Sequence, residues 1–138
     1  MRQMQASSCA AAPALDAPSL SAARRAIRVL FFVLGMAMGV WGAQVPAVKA
    51  HYGLDEQTLS LALLAGAGGA VLCLLTAGAL VARFGARRCV QAAGTLMLAS
   101  LALVLQAQPL GALFALMLLL GAGSALFDVA INAEGSAL

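Results

Sequence analysis

The chain has 138 residues, of which 63% are apolar and 9% are charged, with a formal net charge of +3. Soluble domains carry roughly 25% charged residues, so this composition excludes a soluble globule and predicts that lipid surrounds the protein. The arginines stand beside apolar segments instead of forming a stripe on a polar face, which excludes a nucleic-acid-binding protein.

The uncharged stretches of the sequence predict about four membrane-spanning helices. Residues 1–26 are rich in Ala, Ser and Pro and predict a flexible cytoplasmic tail. A bilayer core of about 30 Å needs roughly 20 apolar residues per helix. The predicted transmembrane domain, residues 27–138, contains spans at about 27–48, 58–82, 89–107 and 110–133.

A cleaved signal peptide is the alternative for the first span, because arginines precede its apolar run. That run is longer than the roughly 7 to 15 residues of a signal peptide, and three more spans follow. We therefore expect a retained helix.

Small residues and loop residues predict how the helices meet. Gly35 and Gly39 lie one turn apart in the first span, and residues 65–70 of the second span are all glycine or alanine. Such faces let helix backbones approach closely in lipid. Residues 49–56 are predicted to form a polar loop, in which Asp55 is placed to cap the second helix.

The basic residues predict the orientation of the chain. Arg2, Arg24, Arg25 and Arg28 precede the first span, and Arg83, Arg87 and Arg88 lie between the second and third spans. Seven of the eight basic residues therefore share one side, with Lys49 on the other. The positive-inside rule places the N-terminus in the cytoplasm.

The segment from Gly78 to Arg88 resembles the signature loop between the second and third helices of the major facilitator superfamily, roughly G-x-L-x-D-R-x-G-R-R. The matching or similarly basic positions are Gly78, Leu80, Arg83, Gly85, Arg87 and Arg88. Gly85 is expected to allow a tight turn, and Gly78 is expected to allow a close helix contact. Ala82 stands where the family usually has an aspartate that helps to latch its two halves, so that latch is absent or supplied by another acid. The alternative is a generic arginine-containing turn, which needs no defined glycine spacing.

Two further segments are similar to a bacterial sugar-permease-like branch of this family. Residues 42–49 resemble the exit of its first helix, although members often carry arginine where this chain has Gln44. Residues 121–132 resemble its fourth helix, including Asp128 and Asn132. The resemblance covers about residues 28–138.

The resemblance implies an all-α membrane protein whose four or so helices correspond to the first part of a twelve-helix fold. It also implies a secondary transporter of a small polar, sugar-like solute, coupled to protons, in a bacterial inner membrane. We expect a truncated N-terminal portion, completed by the missing helices or by a second copy. Besides these, the lipid bilayer, the solute and the proton are the expected partners. The residues expected to contact the solute or the proton are Trp41, Gln44, Asp128 and Asn132.

Asp128 has two possible roles. An acid within a span is costly and usually faces a cavity or a partner, so Asp128 could bind the solute or carry the proton, with Asn132 on the same helix face. Alternatively, it pairs with Arg83 or Arg87 and secures the cytoplasmic helix ends. Both roles predict that Asp128 faces the interior of the bundle.

Two other classes of membrane protein compete with this interpretation. One is a small dimeric four-helix transporter, although the first span lacks the acid that small multidrug exporters place there. The other is a structural or regulatory membrane protein that transports nothing. We expect neither an enzyme nor a cofactor or metal, because no His, Cys, Asp or Glu residues cluster in the sequence. The cysteines Cys9, Cys73 and Cys89 form no CxxC pair.

Overall fold

A computed structural model describes residues 17–136, with side chains from Leu20 onward. Four helices account for nearly all of this part of the chain: α1 (Ala17–Tyr52), α2 (Glu56–Phe84), α3 (Ala86–Leu103) and α4 (Leu110–Ser136). Among these residues there is no β-strand. The predicted all-α fold class is therefore confirmed.

Three of the helices are long and apolar enough to cross a bilayer: α1 from Leu20, α2 and α4. The third helix is shorter, with 18 residues, and carries Arg87 and Arg88 in its first turn. It begins at Ala86 and ends at Leu103, whereas the predicted third span covered residues 89–107. Residues 104–106 form a turn in which the Gln106 amide donates to the Leu103 carbonyl.

The first helix is longer at both ends than the predicted first span. It begins at Ala17, within the predicted tail, and residues 1–16, which include Cys9 and Arg2, lie outside the described part. It also passes through Pro46 and continues to Tyr52, so that Lys49 and His51 are helical instead of lying in a loop. Proline removes only one helical hydrogen bond, and in lipid the remaining backbone groups still bond to one another.

The turns between α1 and α2 and between α2 and α3 are each determined by a residue that the sequence analysis identified. Asp55 caps α2, because its side chain accepts a hydrogen bond from the Thr58 amide at 3.0 Å. Gly85 separates α2 from α3 with φ of +83°, a conformation that other residues rarely adopt. Both predictions, the Asp55 cap and the tight turn at Gly85, are confirmed.

The centre of the bundle is a close contact between α2 and α4. A methyl group built on Gly121 would overlap the carbonyl of Gly66, and one built on Gly69 would overlap the carbonyl of Leu118. The predicted packing face of residues 65–70 is therefore confirmed at Gly66 and Gly69. The backbones can approach there because Gly66, Gly69 and Gly121 carry no side chains.

Helix α3 packs on α4, against a neighbouring part of its surface. A methyl group on Gly123 would lie 3.1 Å from the Met97 amide nitrogen, and the Phe127 ring contacts Gly94. Nearer the α2–α3 turn, α1 and α3 converge on the same part of α4. There, Ile27 of α1 and Val90 of α3 pack against the buried Phe127 and Ile131.

At the other end of the bundle, side chains from the end of α1 bond to the end of α3. The Tyr52 hydroxyl donates to the Val104 carbonyl at 2.8 Å, and His51 Nε2 lies 3.2 Å from the Ala107 carbonyl. These bonds satisfy carbonyls that the end of a helix leaves unpaired. An ion pair between Lys49 and Glu56 bridges the turn from α1 to α2.

Candidate functional site

A cleft of about 230 Å³ opens between α1, α2 and α4. Ten residues line it: Met38, Trp41, Leu63, Gly66, Ala67, Ala70, Met117, Leu120, Gly121 and Ser124. Gly66 and Gly121, at the close contact between α2 and α4, line the bottom of the cleft. Their lack of side chains leaves this space open. The lining combines apolar side chains with an indole and one hydroxyl, which suits a ligand that is partly apolar and partly polar.

The wall formed by α1 contains Trp41, one of the residues expected to contact the solute. Gln44 lies one helical turn further towards the end of α1 and does not line the cleft. Its side-chain oxygen, Oε1, is buried and has no hydrogen-bond partner among the described residues. A buried acceptor without a donor is costly, so this oxygen needs a donor that the described residues do not supply.

On α4, the polar residues form a line that starts in the cleft. Ser124 lines the cleft and donates its hydroxyl hydrogen bond to the Gly121 carbonyl at 2.9 Å. Asp128 and Asn132 follow at intervals of four residues, so they continue the same face of the helix. The Asn132 amide donates to the Asp128 main-chain carbonyl at 2.9 Å and to Oδ1 of its carboxylate at 3.3 Å.

Asp128 lies on the exposed surface of the four helices, and not in their interior as we expected. Phe127, Ala130 and Ile131 occupy the buried positions of this part of α4. The predicted pairing with Arg83 or Arg87 is not seen: within residues 17–136, the ion pair present joins Lys49 and Glu56. The polar neighbour of the Asp128 carboxylate is Asn132.

The residues of the signature loop lie at the junction of α2 and α3. Gly85 makes the turn, and Arg83, Arg87 and Arg88 are exposed around it. The Arg83 guanidinium lies 5.4 Å from the centre of the Phe84 ring. The close helix contact expected at Gly78 is not formed in the described part of the chain, where a methyl group on this glycine would meet no atom within 4 Å. Leu80 is half-buried.

Sequence reasoning placed Trp41 at the cleft but missed the other residues that surround it. Ser124 has a signal that could have found it, because it stands four residues before Asp128 on the same helix face. The apolar lining residues, such as Met38 and Met117, have no such signal. A methionine in a span can face lipid, pack in the core or line a cleft, and which of these it does depends on the positions of the neighbouring helices.

The helices define a polytopic α-helical membrane protein with a small cleft between three of them. A model of the Major Facilitator Superfamily matches residues 28–133. Since this match covers most of the chain, the protein belongs to the major facilitator superfamily. The resemblance read from the signature loop is therefore confirmed at the level of the family.

Two curated proteins are similar to the chain over most of its length. An uncharacterized MFS-type transporter of Yersinia pestis is 32% identical over 107 residues, which cover 78% of this chain and 28% of that protein. The membrane protein MosC of Rhizobium meliloti is 30% identical over 113 residues, which cover 82% of this chain and 28% of MosC. The chain thus spans little more than a quarter of either relative. No solved structure matches it significantly.

Proposed function

We propose that the chain forms part of a secondary transporter that moves a small polar, sugar-like solute across a bacterial inner membrane, coupled to protons. The observation that carries this proposal is the cleft between α1, α2 and α4 with Trp41 in its wall. Membership of the major facilitator superfamily supports transport as the activity of the whole protein.

The chemistry of the cleft supports a sugar-like solute. A sugar ring has an apolar face of C–H groups that packs against a flat aromatic ring, and Trp41 offers such a surface. The hydroxyl groups around the edge of the sugar ring need hydrogen-bond partners. The Ser124 hydroxyl oxygen, which lines the cleft, can accept a hydrogen bond from one of them.

Asp128 is the proposed proton carrier. It is the one acid within the apolar part of α4, and it lies one helical turn from Ser124. A carboxylate at the edge of a membrane is favoured when a polar neighbour or water is present, and Asn132 supplies that neighbour. Protonation of Asp128 removes a negative charge one helical turn from the cleft residue Ser124, and this links the protonation of Asp128 to the binding of the solute.

The four helices supply one side of the proposed pathway. The other side comes from further helices, either in the same polypeptide or in a second copy. The greater length of both curated relatives supports this arrangement. Transport then follows from the rocking of two helical units around the site, as in related transporter architectures. The arginine distribution supports a cytoplasmic N-terminus.

Trp41 is the single tryptophan of the chain, so its fluorescence reports directly on the cleft. Titration of the 138-residue chain in lipid nanodiscs with D-glucose, D-galactose, D-mannose and sorbitol is expected to give a saturable change with at least one of them. Ser124→Ala should weaken that binding by about three- to tenfold, because one hydrogen bond is lost.

Thr76→Ala is the matched control, since Thr76 also donates its hydroxyl hydrogen bond to a carbonyl of its own helix, at 3.1 Å, but is exposed on α2 away from the cleft. It should leave binding unchanged. Equal effects of the two substitutions, or no response of Trp41 to any of the four sugars, would reject the sugar-like solute.

Proton coupling is tested by repeating the titration at several pH values. The affinity of the wild-type chain should change with pH, and that of Asp128→Asn should not, because the amide cannot take up a proton. Glu134→Gln is the control, as it removes an exposed acid from the same end of α4. A pH dependence that survives in Asp128→Asn would exclude this residue as the proton carrier.

A further inference from the structure

One end of the bundle carries a dense group of exposed arginines, which we call the arginine end. It comprises six residues from three helices: Arg24, Arg25, Arg28, Arg83, Arg87 and Arg88. The packing of α1 and α3 brings these residues to one place, because Ile27 and Val90 both contact the Phe127–Ile131 region of α4. The arginines therefore surround a single end of the molecule.

The positive charge of the arginine end is not neutralised by the described part of the protein. None of its six guanidinium groups makes an ion pair within residues 17–136, where the ion pair present is that of Lys49 and Glu56 at the opposite end. Among the described residues, the acids near the arginine end are Asp128, whose neighbour is Asn132, and the exposed Glu134. In this part of the chain, six arginines are therefore accompanied by two carboxylates.

The arginine end lies at the level of the lipid headgroups. In α1, Arg28 and Lys49 are separated by a rise of about 31 Å, which matches the roughly 30 Å of the hydrocarbon core. The residues between them carry no charge. When Lys49 lies at one surface of the bilayer, Arg28 lies at the other, and Arg24 and Arg25 stand in the headgroup layer beyond it. Arg83, beside the Phe84 ring, is also suited to an interface, where a cation and an aromatic ring meet.

The type of basic residue at this end indicates which anion it suits. Every basic residue of the arginine end is an arginine, and the single lysine of the chain, Lys49, is at the other end. Either base would satisfy the topology rule. Only arginine presents a planar fork of N–H groups that binds a phosphate through two parallel hydrogen bonds.

We infer that the arginine end is a binding surface for the phosphate groups of anionic phospholipids in the leaflet it contacts. Phospholipid headgroups are the anions present at the depth of these side chains. The missing aspartate at Ala82 adds to the effect, because no carboxylate of the loop itself competes for Arg83, Arg87 and Arg88. The lipid phosphates supply the counter-charge that the described residues do not.

The experiment uses the 138-residue chain reconstituted in phosphatidylcholine bilayers that contain a trace of spin-labelled lipid. The motionally restricted fraction of the electron paramagnetic resonance signal measures association with the protein. Spin-labelled phosphatidylglycerol is expected to associate at least about threefold more strongly than spin-labelled phosphatidylcholine, since each arginine near the surface attracts anionic lipid. Because both leaflets are identical, an inverted orientation would not alter the result.

Two sets of variants locate the preference. The combined change Arg24→Gln, Arg25→Gln, Arg87→Gln and Arg88→Gln should abolish it, and Lys49→Gln should leave it intact. Lysine at the same four positions keeps the charge and serves as the variant of choice if the glutamine protein fails to fold. It should retain only part of the preference, because the two-bond contact with phosphate is lost.

Three results would overturn the inference. The first is equal association of the two lipids with the wild-type chain. The second is a preference that survives intact in the lysine protein, or that Lys49→Gln removes. The third is a preference that sodium phosphate abolishes and sodium chloride at equal ionic strength does not, because the site would then be one for a soluble anion.

Discussion

Two glycine-bearing helix faces of this protein have different surroundings. On α2 and α4, Gly66, Gly69 and Gly121 lie where the two backbones touch. On α1, Gly35 and Gly39 are also one turn apart, but a methyl group on either would meet no described atom within 4 Å. The contact face predicted at Gly35 and Gly39 is therefore not used within these four helices.

The difference shows that spacing alone does not make a glycine pair a contact. The buried side of α1 is formed by residues such as Ala37 and Val48, and Gly35 and Gly39 lie on another side of the helix. Helix α1 is thus attached by side-chain packing and by the hydrogen bonds of its last turn. Helices α2 and α4 are attached to each other by close contact between their backbones. The two kinds of contact should respond differently to the same substitution.

Gly121→Ala is expected to have the largest effect, because the new methyl group would overlap the Gly66 carbonyl and push α2 and α4 apart. Overpacking of this kind costs about 1–3 kcal/mol, and we expect the upper part of that range because the obstructing atoms are backbone. Unfolding of the chain in mixed micelles by increasing sodium dodecyl sulfate, followed by Trp41 fluorescence, gives the free energy.

Gly39→Ala is the matched control for this substitution, since it adds the same methyl group to a glycine with open space around it. It should change the free energy of unfolding by less than about 1 kcal/mol, in the stabilising direction, because alanine is the better helix former. A loss of stability equal to that of Gly121→Ala would mean that the distinction between the two faces is wrong.

Tyr52→Phe tests the attachment of α1 at its end and should have an intermediate effect. The substitution removes the bond from the tyrosine hydroxyl to the Val104 carbonyl at 2.8 Å but keeps the ring. We expect a loss of about 1 kcal/mol, typical of one hydrogen bond. Hydrogen exchange at the amides of residues 104–107 should become faster, because the end of α3 loses its partner. Unchanged exchange there would show that α1 does not hold this end.

The number and order of the helices could be predicted because lipid requires long uncharged segments, and the Asp55 cap and the Gly85 turn depend on neighbouring residues in the sequence. The side of each helix that is buried could not be predicted, since it depends on which helices pair. Asp128 illustrates this limit. Its cost in lipid suggested an interior position, yet Phe127 and Ile131 occupy the interior and Asp128 lies on the surface of the four helices.

The smallest effect is expected at Asp55. This residue lies in the turn between α1, which packs through its side chains, and α2, which packs through close backbone contact with α4. The hydrogen bond of its side chain with Thr58, more than any nearby charge, lowers the pKa of this carboxyl below its ordinary value of 3.8. Because the pKa of Asp55 is lower in the folded state than in the unfolded state, the ionised carboxylate stabilises the fold at any pH above the pKa of the unfolded state. That contribution is lost as the pH falls through the pKa of the folded state, which lies below 3.8.

Asp55→Asn isolates this contribution, because asparagine also caps a helix but does not ionise. The other carboxylates are the same in both proteins, so the difference between the two unfolding curves belongs to Asp55. We expect the wild-type chain to lose stability relative to the variant only in the acid range below 3.8, and to do so at low and high salt alike, since the attraction of Lys49 is the smallest of the causes. A difference that disappears with added salt would assign the lowered pKa to charge instead of to the helix cap.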